Sequence, residues 1–130
     1  MAEDLVALAI AAMARAYAPY SNFPVGAALR TQSGAVYSGC NVENAAYPEG
    51  WCAETSAIAA MIMAGETRIV EIAVAGGGAG LCTPCGGCRQ RLREFAGDDL
   101  VIHVCGPEGL RRTVTLGELL PLSFGPDNLD

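Results

Sequence analysis

The spacing of three cysteines constrains the fold of this 130-residue chain more than any other feature. Cys52 precedes Glu54 by two residues, and Pro84 leads directly into a Cys-x-x-Cys pair formed by Cys85 and Cys88. Three thiolates can hold one zinc ion and leave its fourth tetrahedral position open to water. A carboxyl group beside such an ion can move protons during hydrolysis. The pattern therefore predicts a fold that brings both segments to one catalytic metal site.

Two helices are predicted to begin at these cysteines. Proline suits the start of a helix, so Cys85 and Cys88, which follow Pro84, lie one above the other in its first turn. The segment over residues 52–64 is rich in alanine, methionine and isoleucine, which predicts a buried helix that ends at Gly65. Helix N-termini lower the pKa of thiols. We therefore expect both helices to favour the thiolate forms that bind zinc.

The remaining pattern alternates helices with strands and predicts an α/β fold. Apolar residues recur at helical spacing over residues 3–16 and 85–95. Short apolar runs predict strands at 25–30, 35–42, 70–75, 100–105 and 112–116. A short helical turn is predicted at 118–120. A turn at 31–34 makes the first two strands an antiparallel hairpin, and the glycine-rich residues 76–80 form a loop. We expect a three-layer α-β-α sandwich whose mixed sheet has roughly five strands.

Composition limits the function classes. A chain with 52% hydrophobic residues is long enough to bury one core, which predicts a single domain over residues 1–130. The net charge of -6 argues against a nucleic-acid partner, because phosphate binding needs Lys and Arg, and it favours a small substrate instead. No apolar run is long enough for a membrane span, and the acidic N-terminus lacks the basic region of a secretory signal. We therefore expect a cytoplasmic protein with reduced cysteines and no membrane partner.

Together these residues resemble the zinc-dependent cytidine deaminases, in particular the short three-cysteine type that forms homotetramers. Zinc deaminases carry a glutamate two residues after the first ligand, and a Pro-Cys-x-x-Cys segment. The similarity extends to residues 20–28, 39–47, 118–121 and 124–126. The resemblance implies one Zn²⁺ per chain and hydrolytic deamination of cytidine and 2′-deoxycytidine to the uridine forms, with release of ammonia, as part of pyrimidine salvage.

The resemblance assigns the groups at the reacting end of the site. Cys52, Cys85 and Cys88 are similar to the three zinc ligands of the family, and Glu54 is similar to the residue that protonates N3 of the base. The backbone amide of Ala53 resembles the group that reads the base edge together with Glu54. The resemblance thus implies a reaction centre built from two short motifs.

The resemblance also assigns the groups that bind the rest of the nucleoside. Phe23 resembles the residue that stacks on the pyrimidine, and Asn41 and Glu43 resemble the pair that binds the ribose 3′-hydroxyl. Tyr47 and Phe124 resemble residues that reach into the site of a neighbouring subunit. The resemblance therefore implies a homotetramer in which neighbouring subunits complete each site.

Position 55 departs from the family pattern. Many members of this type have arginine after the catalytic glutamate, whereas this chain has Thr55. A zinc ion with three thiolate ligands carries a net negative charge, which weakens its ability to acidify water. We hypothesise that the site stays active because the helix N-termini, Arg89 or Arg91 offset this charge.

Spacing alone leaves other interpretations of the cysteines open. Cys82 extends the pair to C-x-x-C-x-x-C, which can begin an iron–sulfur run, but Leu92 stands where the fourth thiol would lie. Cys85 and Cys88 alone could form a thioredoxin-like redox pair. A closed structural zinc site would take Cys82 as its fourth ligand. The family resemblance instead makes Cys82 a bystander.

Two other function classes compete with cytidine deamination. One is a deaminase for another aminopyrimidine, such as a nucleoside antibiotic. The other is a redox or structural zinc module that binds a partner, although such a module has no use for an acid at Glu54. Cys40, Cys105 and His103 lie on predicted strands, and we expect them to serve packing and structure rather than chemistry.

Overall fold

The computed structural model describes residues 2–129, which form one mixed sheet with helices on both faces. The helices are α1 (Ala2–Met13), α2 (Ala53–Met63), α3 (Gly86–Phe95) and α4 (Leu116–Leu119), and the strands are β1 (Val25–Thr31), β2 (Val36–Cys40), β3 (Ile69–Gly76), β4 (Val101–Gly106) and β5 (Gly109–Thr115). Single 3-10 turns occupy Tyr47–Glu49 and Pro126–Leu129. Among residues 2–129, no helix has both the length and the apolar character that crossing a bilayer requires.

The sheet has the strand order β2-β1-β3-β4-β5. β1 runs antiparallel to both β2 and β3, β3 runs parallel to β4, and β4 runs antiparallel to β5. The parallel pair is joined through α3, as expected for a strand–helix–strand connection. This topology confirms the predicted mixed sheet of five strands and the first hairpin.

The main core lies between the sheet and the helices that carry the cysteines. Residues alternate between the two faces of a strand, so Ala27 and Leu29 of β1 face this layer. They belong to one cluster with Met61 of α2 and Leu92 of α3, and all four side chains are fully buried. Burial of a leucine or methionine side chain contributes about 1.5–3 kcal/mol. The two metal-site helices are therefore anchored by their C-terminal halves, which leaves their N-termini at one edge.

The opposite face of the sheet is covered by α1, which completes the three predicted layers. Leu5 and Ala9 of α1 pack on Ala28 and Cys105, and all four are fully buried. His103 lies on this face, where Nδ1 is 3.0 Å from Thr113 Oγ1 and Nε2 is 2.6 Å from Glu71 Oε2. His103 is thus a hydrogen-bonded structural residue, as predicted, and lies outside the metal site.

A close approach between backbones places α2 directly against β2. A Cβ atom added at Gly39 would lie 2.5 Å from Ala57 N and 2.6 Å from Ser56 Cβ. Any larger residue would therefore push the helix away from the strand. Gly65 follows the last turn of α2 with a φ of +87°, as predicted for a glycine that ends a helix.

The sequence pattern missed part of the hairpin between β4 and β5. β5 begins at Gly109 rather than at residue 112, and Gly109 pairs with Gly106 across a tight turn. Gly109 takes a φ of +137°, which side chains rarely allow. The other differences are at element ends: α1 stops at Met13 and not at 16, and β2 stops at Cys40 because residue 42 makes isolated bridges instead.

Candidate active site

The three predicted ligands converge at the N-termini of α2 and α3. Cys52 is the N-cap of α2, Cys85 is the N-cap of α3, and Cys88 lies in the first turn of α3. The helix therefore starts one residue later than predicted, so Pro84 precedes the cap. All three sulfur atoms lie within 4.8 Å of one another. The tertiary structure thus brings together the two motifs that are distant in sequence.

The geometry of the sulfur atoms fits zinc. Cys52 Sγ is 3.6 Å from Cys85 Sγ, and thiolates at roughly 2.3 Å from a tetrahedral zinc ion are about 3.8 Å apart. Hydrogen bonding from Cys88 lowers the pKa of the Cys52 thiol, whereas the same contact and burial raise the pKa of Cys88. Zinc binding displaces the protons of the thiols that hold it.

Cys82 does not join the cluster. It lies outside the group of three sulfurs, and burial raises the pKa of its thiol to about 11. This placement favours the three-ligand site over a closed structural zinc or an iron–sulfur run. Cys82 does line the pocket beside the cluster, so it is closer to the chemistry than the sequence indicated.

Glu54 lies in the first turn of α2, only 3% exposed, in the wall of the same pocket. Burial raises the pKa of its carboxyl group above the ordinary value, and Arg91 opposes this shift weakly. Desolvation disfavours the charged carboxylate. A buried carboxyl group with a raised pKa is suited to accept and release a proton during a reaction.

A pocket of about 400 Å³ opens in front of the cluster. Its size is in the range of small-molecule sites. Eight of the residues that line this pocket are predicted site residues, namely Phe23, Asn41, Glu43, Tyr47, Cys52, Ala53, Glu54 and Cys85. Cys82 lines the pocket as well. A second cavity of about 310 Å³, lined by Tyr20, Ser21 and Asn44 among others, shares Glu43 and Tyr47 with it. The two cavities therefore lie next to each other, on either side of these shared residues.

Asn41 ties the pocket wall together. Its Nδ2 donates to Phe23 O at 3.0 Å, and its Oδ1 accepts from Val25 N at 2.9 Å. The side-chain amide has two donors and two lone pairs, so one hydrogen bond of each kind is left for a ligand. Asn41 therefore holds the backbone of Phe23 in place while still facing the pocket.

Glu43 is held by three donors. The backbone amide of Tyr20 donates to Oε1 at 2.9 Å, that of Ser21 donates to Oε1 at 3.1 Å, and the Ser21 hydroxyl donates to Oε2. These hydrogen bonds, the Ser21 hydroxyl first, lower the pKa of the Glu43 carboxyl group. Glu43 is thus a fixed hydrogen-bond acceptor whose carboxyl pKa is lowered, whereas burial raises the pKa of the Glu54 carboxyl group.

The two aromatic residues predicted to reach a neighbouring subunit are exposed on the single chain. Tyr47 is 75% exposed and Phe124 is 58% exposed. Tyr47 lines the pocket of its own chain, whereas Phe124 is not among the residues that line either cavity. The backbone oxygen of Phe124 accepts a hydrogen bond from Gln90 Nε2 of α3 at 2.8 Å. The single chain therefore brings Tyr47, but not Phe124, to the site.

The contacts of Cys88 distinguish between Arg89 and Arg91, the two arginines that were candidates for offsetting the thiolate charge. Arg91 Nη1 and Thr55 Oγ1 each lie 3.7 Å from Cys88 Sγ. Arg89 instead donates to Pro84 O at 2.7 Å and to Leu119 O at 2.8 Å, which links α3 to α4. Arg91 therefore reaches a sulfur atom and Arg89 does not.

Sequence analysis missed Trp51 and Thr83, which also line the pocket. Trp51 is half-exposed, and its Nε1 donates to Ser56 Oγ of α2 at 2.8 Å. Its position directly before Cys52, a predicted ligand, was the available signal in the sequence.

Three sulfur donors beside a buried carboxyl group in a pocket are the arrangement of a zinc-dependent hydrolase. The model for the cytidine and deoxycytidylate deaminase zinc-binding region matches residues 1–104. The chain belongs to the cytidine and deoxycytidylate deaminase family, as the resemblance predicted, and is a zinc-dependent deaminase.

Similar proteins cover almost the whole chain. A cytidine deaminase from Sporosarcina psychrophila is 38% identical over 98% of this chain and 93% of its own length. A cytidine deaminase from Mycobacterium tuberculosis is 44% identical over 91% of this chain and 85% of its own. The crystal structure of a cytidine deaminase from Burkholderia pseudomallei is 43% identical and superposes with a TM-score of 0.90, covering 95% of this chain and 99% of that one. The similarity confirms the predicted α/β fold.

Proposed function

We propose that the chain deaminates cytidine and 2′-deoxycytidine by hydrolysis, as part of pyrimidine salvage. Water adds to C4 of the base and the amino group leaves as ammonia, which gives uridine or 2′-deoxyuridine. The observation that carries the proposal is the cluster of three sulfurs beside buried Glu54 in a pocket of about 400 Å³. Zinc held by Cys52, Cys85 and Cys88 would lower the pKa of water and so supply the nucleophile.

Glu54 carries the protons in this proposal. It accepts one proton of the attacking water and passes it to N3 of the base, then takes the proton of the hydroxyl group formed on C4 and gives it to the departing amine. Burial supports this role, because it raises the pKa of the carboxyl group and so eases protonation in each transfer. The backbone amide of Ala53, buried at the first position of α2, lies beside it to bind the base edge.

The pocket orients the nucleoside with its base toward the cluster. The exposed ring of Phe23 stacks on the pyrimidine, and the Asn41 contact to its backbone fixes that ring. Glu43 accepts a hydrogen bond from the ribose 3′-hydroxyl, and the remaining Asn41 amide groups complete the contact. A lowered pKa supports this assignment for Glu43, since an ionised carboxylate is a stronger acceptor than a neutral one.

The active form is proposed to be a cytoplasmic homotetramer of single-domain chains spanning residues 1–130. Exposed aromatic rings at Tyr47, Trp51 and Phe124 support an assembly, because large exposed aromatics are enriched at interfaces. In this assembly Tyr47 and Phe124 reach the site of a neighbouring subunit. A reducing compartment is supported because the three ligands must stay reduced to bind zinc.

The proposed chemistry is tested by zinc quantification combined with a spectrophotometric cytidine assay on the purified protein. The expected result is one zinc per chain and turnover of cytidine. Glu54→Gln should keep the zinc and lose at least about 10²-fold in kcat, whereas Glu94→Gln, an exposed change on α3, should match the parent. Tightly bound zinc without turnover of any aminopyrimidine would support the structural module instead, and turnover of an aminopyrimidine other than cytidine would support the related deaminase.

The proposed assembly has its own test. A Phe124→Ala variant and a Glu54→Gln variant, each of low activity, are mixed under conditions that exchange subunits. If sites are completed by neighbours, some mixed assemblies contain intact sites and activity returns. Light scattering that shows a monomer with full activity would contradict the tetramer and leave the deaminase chemistry untouched.

A further inference from the structure

A glycine-rich loop supports the back of the substrate pocket. This glycine loop, residues 76–80, starts at the last residue of β3 and contains four glycines. A Cβ atom added at Gly76 would lie 2.4 Å from Cys82 Cβ and 3.4 Å from Phe23 Cζ, and one added at Gly78 would lie 3.0 Å from Phe23 Cε1. The backbone of the loop therefore packs directly on the ring of Phe23 and on Cys82.

Such a loop does not hold one conformation by itself. Glycine has the largest backbone freedom of any residue, so ordering several of them costs conformational entropy. The structure supplies an anchor from β5. Arg111 Nη1 donates to both Gly78 O and Gly80 O at 2.7 Å. The two carbonyl groups on either side of residue 79 are thus held by one guanidinium group.

Arg111 is itself held rigidly. Its Nε donates to Glu108 Oε2 at 2.7 Å and its Nη2 donates to Glu108 Oε1 at 2.9 Å, which is a two-point contact. The guanidinium group lies over the backbone at the end of β4, where a Cβ atom on Gly106 would be 2.1 Å from Arg111 Cζ. A side chain at Gly106 would therefore displace the Arg111 guanidinium group from this position.

An irregularity in the sheet directs Arg111 toward the loop. Val104 pairs with Arg112 and Cys105 pairs with Leu110, so Arg111 is an extra residue without a partner in the ladder. Bulges of this kind re-aim a side chain and recur beside active sites. The hairpin turn, the bulge and Gly106 all serve to place one guanidinium group against the glycine loop.

We propose that Arg111 is a positioning residue for the substrate pocket, because it orders the glycine loop that supports Phe23 and Cys82. The inference rests on the proposed function, in which Phe23 stacks on the pyrimidine. Arg111 acts through the Gly78 and Gly80 carbonyl groups, and its hydrogen bonds are to these carbonyl groups and to Glu108, none of which is a predicted zinc ligand. Its effect should therefore fall on substrate binding rather than on proton transfer.

The test compares Arg111→Met with Arg112→Met, an exposed change at the next residue of the same strand. Arg111→Met should raise the KM for cytidine about five- to tenfold with kcat changed less than about twofold, because it removes binding common to ground and transition states. Arg111→Lys keeps the positive charge but has fewer hydrogen-bond donors, so its KM should lie between those of the parent and Arg111→Met. Zinc content should equal that of the parent in all three. Equal KM values for Arg111→Met and Arg112→Met, or loss of zinc in Arg111→Met, would overturn the proposal.

A second variant tests whether loop order is the cause. A Cβ atom at Gly80 meets no atom within 4 Å and the residue does not have a positive φ, so Gly80→Ala fits and restricts the loop. Added to Arg111→Met, it should recover part of the lost affinity, about threefold in KM. An unchanged or higher KM in the double variant would contradict the proposal.

Phe23→Ala separates this inference from the proposed function. If Phe23→Ala leaves KM unchanged, the stacking role itself is wrong, and the inference fails with it. If Phe23→Ala raises KM, Arg111→Met should add little to it, because both changes act on one contact. Independent, additive effects of the two changes would overturn the positioning role while leaving the stacking role intact.

Discussion

Val42 and Trp51 pair as an antiparallel bridge that closes the loop between the sheet and the metal site. Val42 N donates to Trp51 O at 3.1 Å and Trp51 N donates to Val42 O at 3.0 Å. Glu43 and Cys52 directly follow these two residues. The bridge therefore brings Glu43, which we propose binds the substrate, and the predicted metal ligand Cys52 to the same pocket, although nine positions separate them.

Removal of the Ser56 hydroxyl should weaken this junction. Ser56 Oγ accepts from Trp51 Nε1 and donates to Cys40 O, both at 2.8 Å, so it ties the loop to α2 and β2. Ser56→Ala should lower the free energy of unfolding by about 1–3 kcal/mol, because it removes two hydrogen bonds that each contribute about 0.5–1.5 kcal/mol. Urea denaturation measures the change, with exposed Ser38→Ala as the control. Equal stability of the two variants would show that water replaces these bonds.

Glu43→Gln should abolish the preference for a substrate that carries the ribose 3′-hydroxyl over one that lacks it. A hydrogen bond to a charged acceptor contributes about 1.5–3 kcal/mol, which corresponds to about 10- to 100-fold in kcat/KM. The parent should therefore prefer cytidine over 3′-deoxycytidine by that factor, and the variant should treat the two alike. Steady-state kinetics with both substrates provide the measurement. A preference that survives in the variant would assign the hydroxyl contact elsewhere.

Arg91→Met should weaken zinc binding. Arg91 Nη1 lies 3.7 Å from Cys88 Sγ and offsets part of the charge of three thiolates. Loss of such an outer contact costs about 10-fold or more in metal affinity. Competition with a chromogenic chelator measures the change, and Arg112→Met provides a surface control. If both variants release zinc like the parent, the helix N-termini supply the compensation.

The Thr55 side chain offers a complementary test of the same charge. Thr55 Oγ1 is 3.7 Å from Cys88 Sγ, so an arginine at this position would add a second cation beside the sulfurs. Thr55→Arg should shift the acid limb of the pH–rate profile and tighten zinc in an Arg91→Met background. A profile identical to that of the parent would show that local charge at position 55 does not control the reaction.

Glu66 should make stability depend on pH in the acidic range. It accepts hydrogen bonds from Ser33 Oγ at 2.6 Å and Tyr37 Oη at 2.8 Å, and these bonds, that of Ser33 first, lower the pKa of its carboxyl group. A pKa that is lower in the folded state stabilises the fold above the unfolded pKa of about 4.3. This contribution is lost as the pH falls through the folded pKa.

Glu66→Gln should therefore be less stable than the parent at pH 7, and urea denaturation should show the difference shrinking on acidification. A constant difference would mean that the carboxylate charge is not involved.

Much of the fold could be predicted because its signals are local. Strand and helix assignments followed from apolar periodicity, and Gly65 marked the end of α2 by the positive φ that glycine allows. The start of β5 could not be predicted, because exposed arginines and a bulge hide the alternation of that strand. The pocket contacts of Cys82 and Trp51 likewise arise from segments that meet only after folding.

Short stretches of the chain specify which residue types can perform the chemistry. The three cysteines, the nearby glutamate and the helix starts around them all lie within two such stretches. Tertiary structure decided which of those groups meet. Packing of α2 and α3 against one sheet gathers Cys52, Cys85 and Cys88 and leaves Cys82 outside. The bulge in β5 aims Arg111 at the glycine loop. Such choices depend on register and helix packing between distant segments, which residue type and local periodicity do not encode.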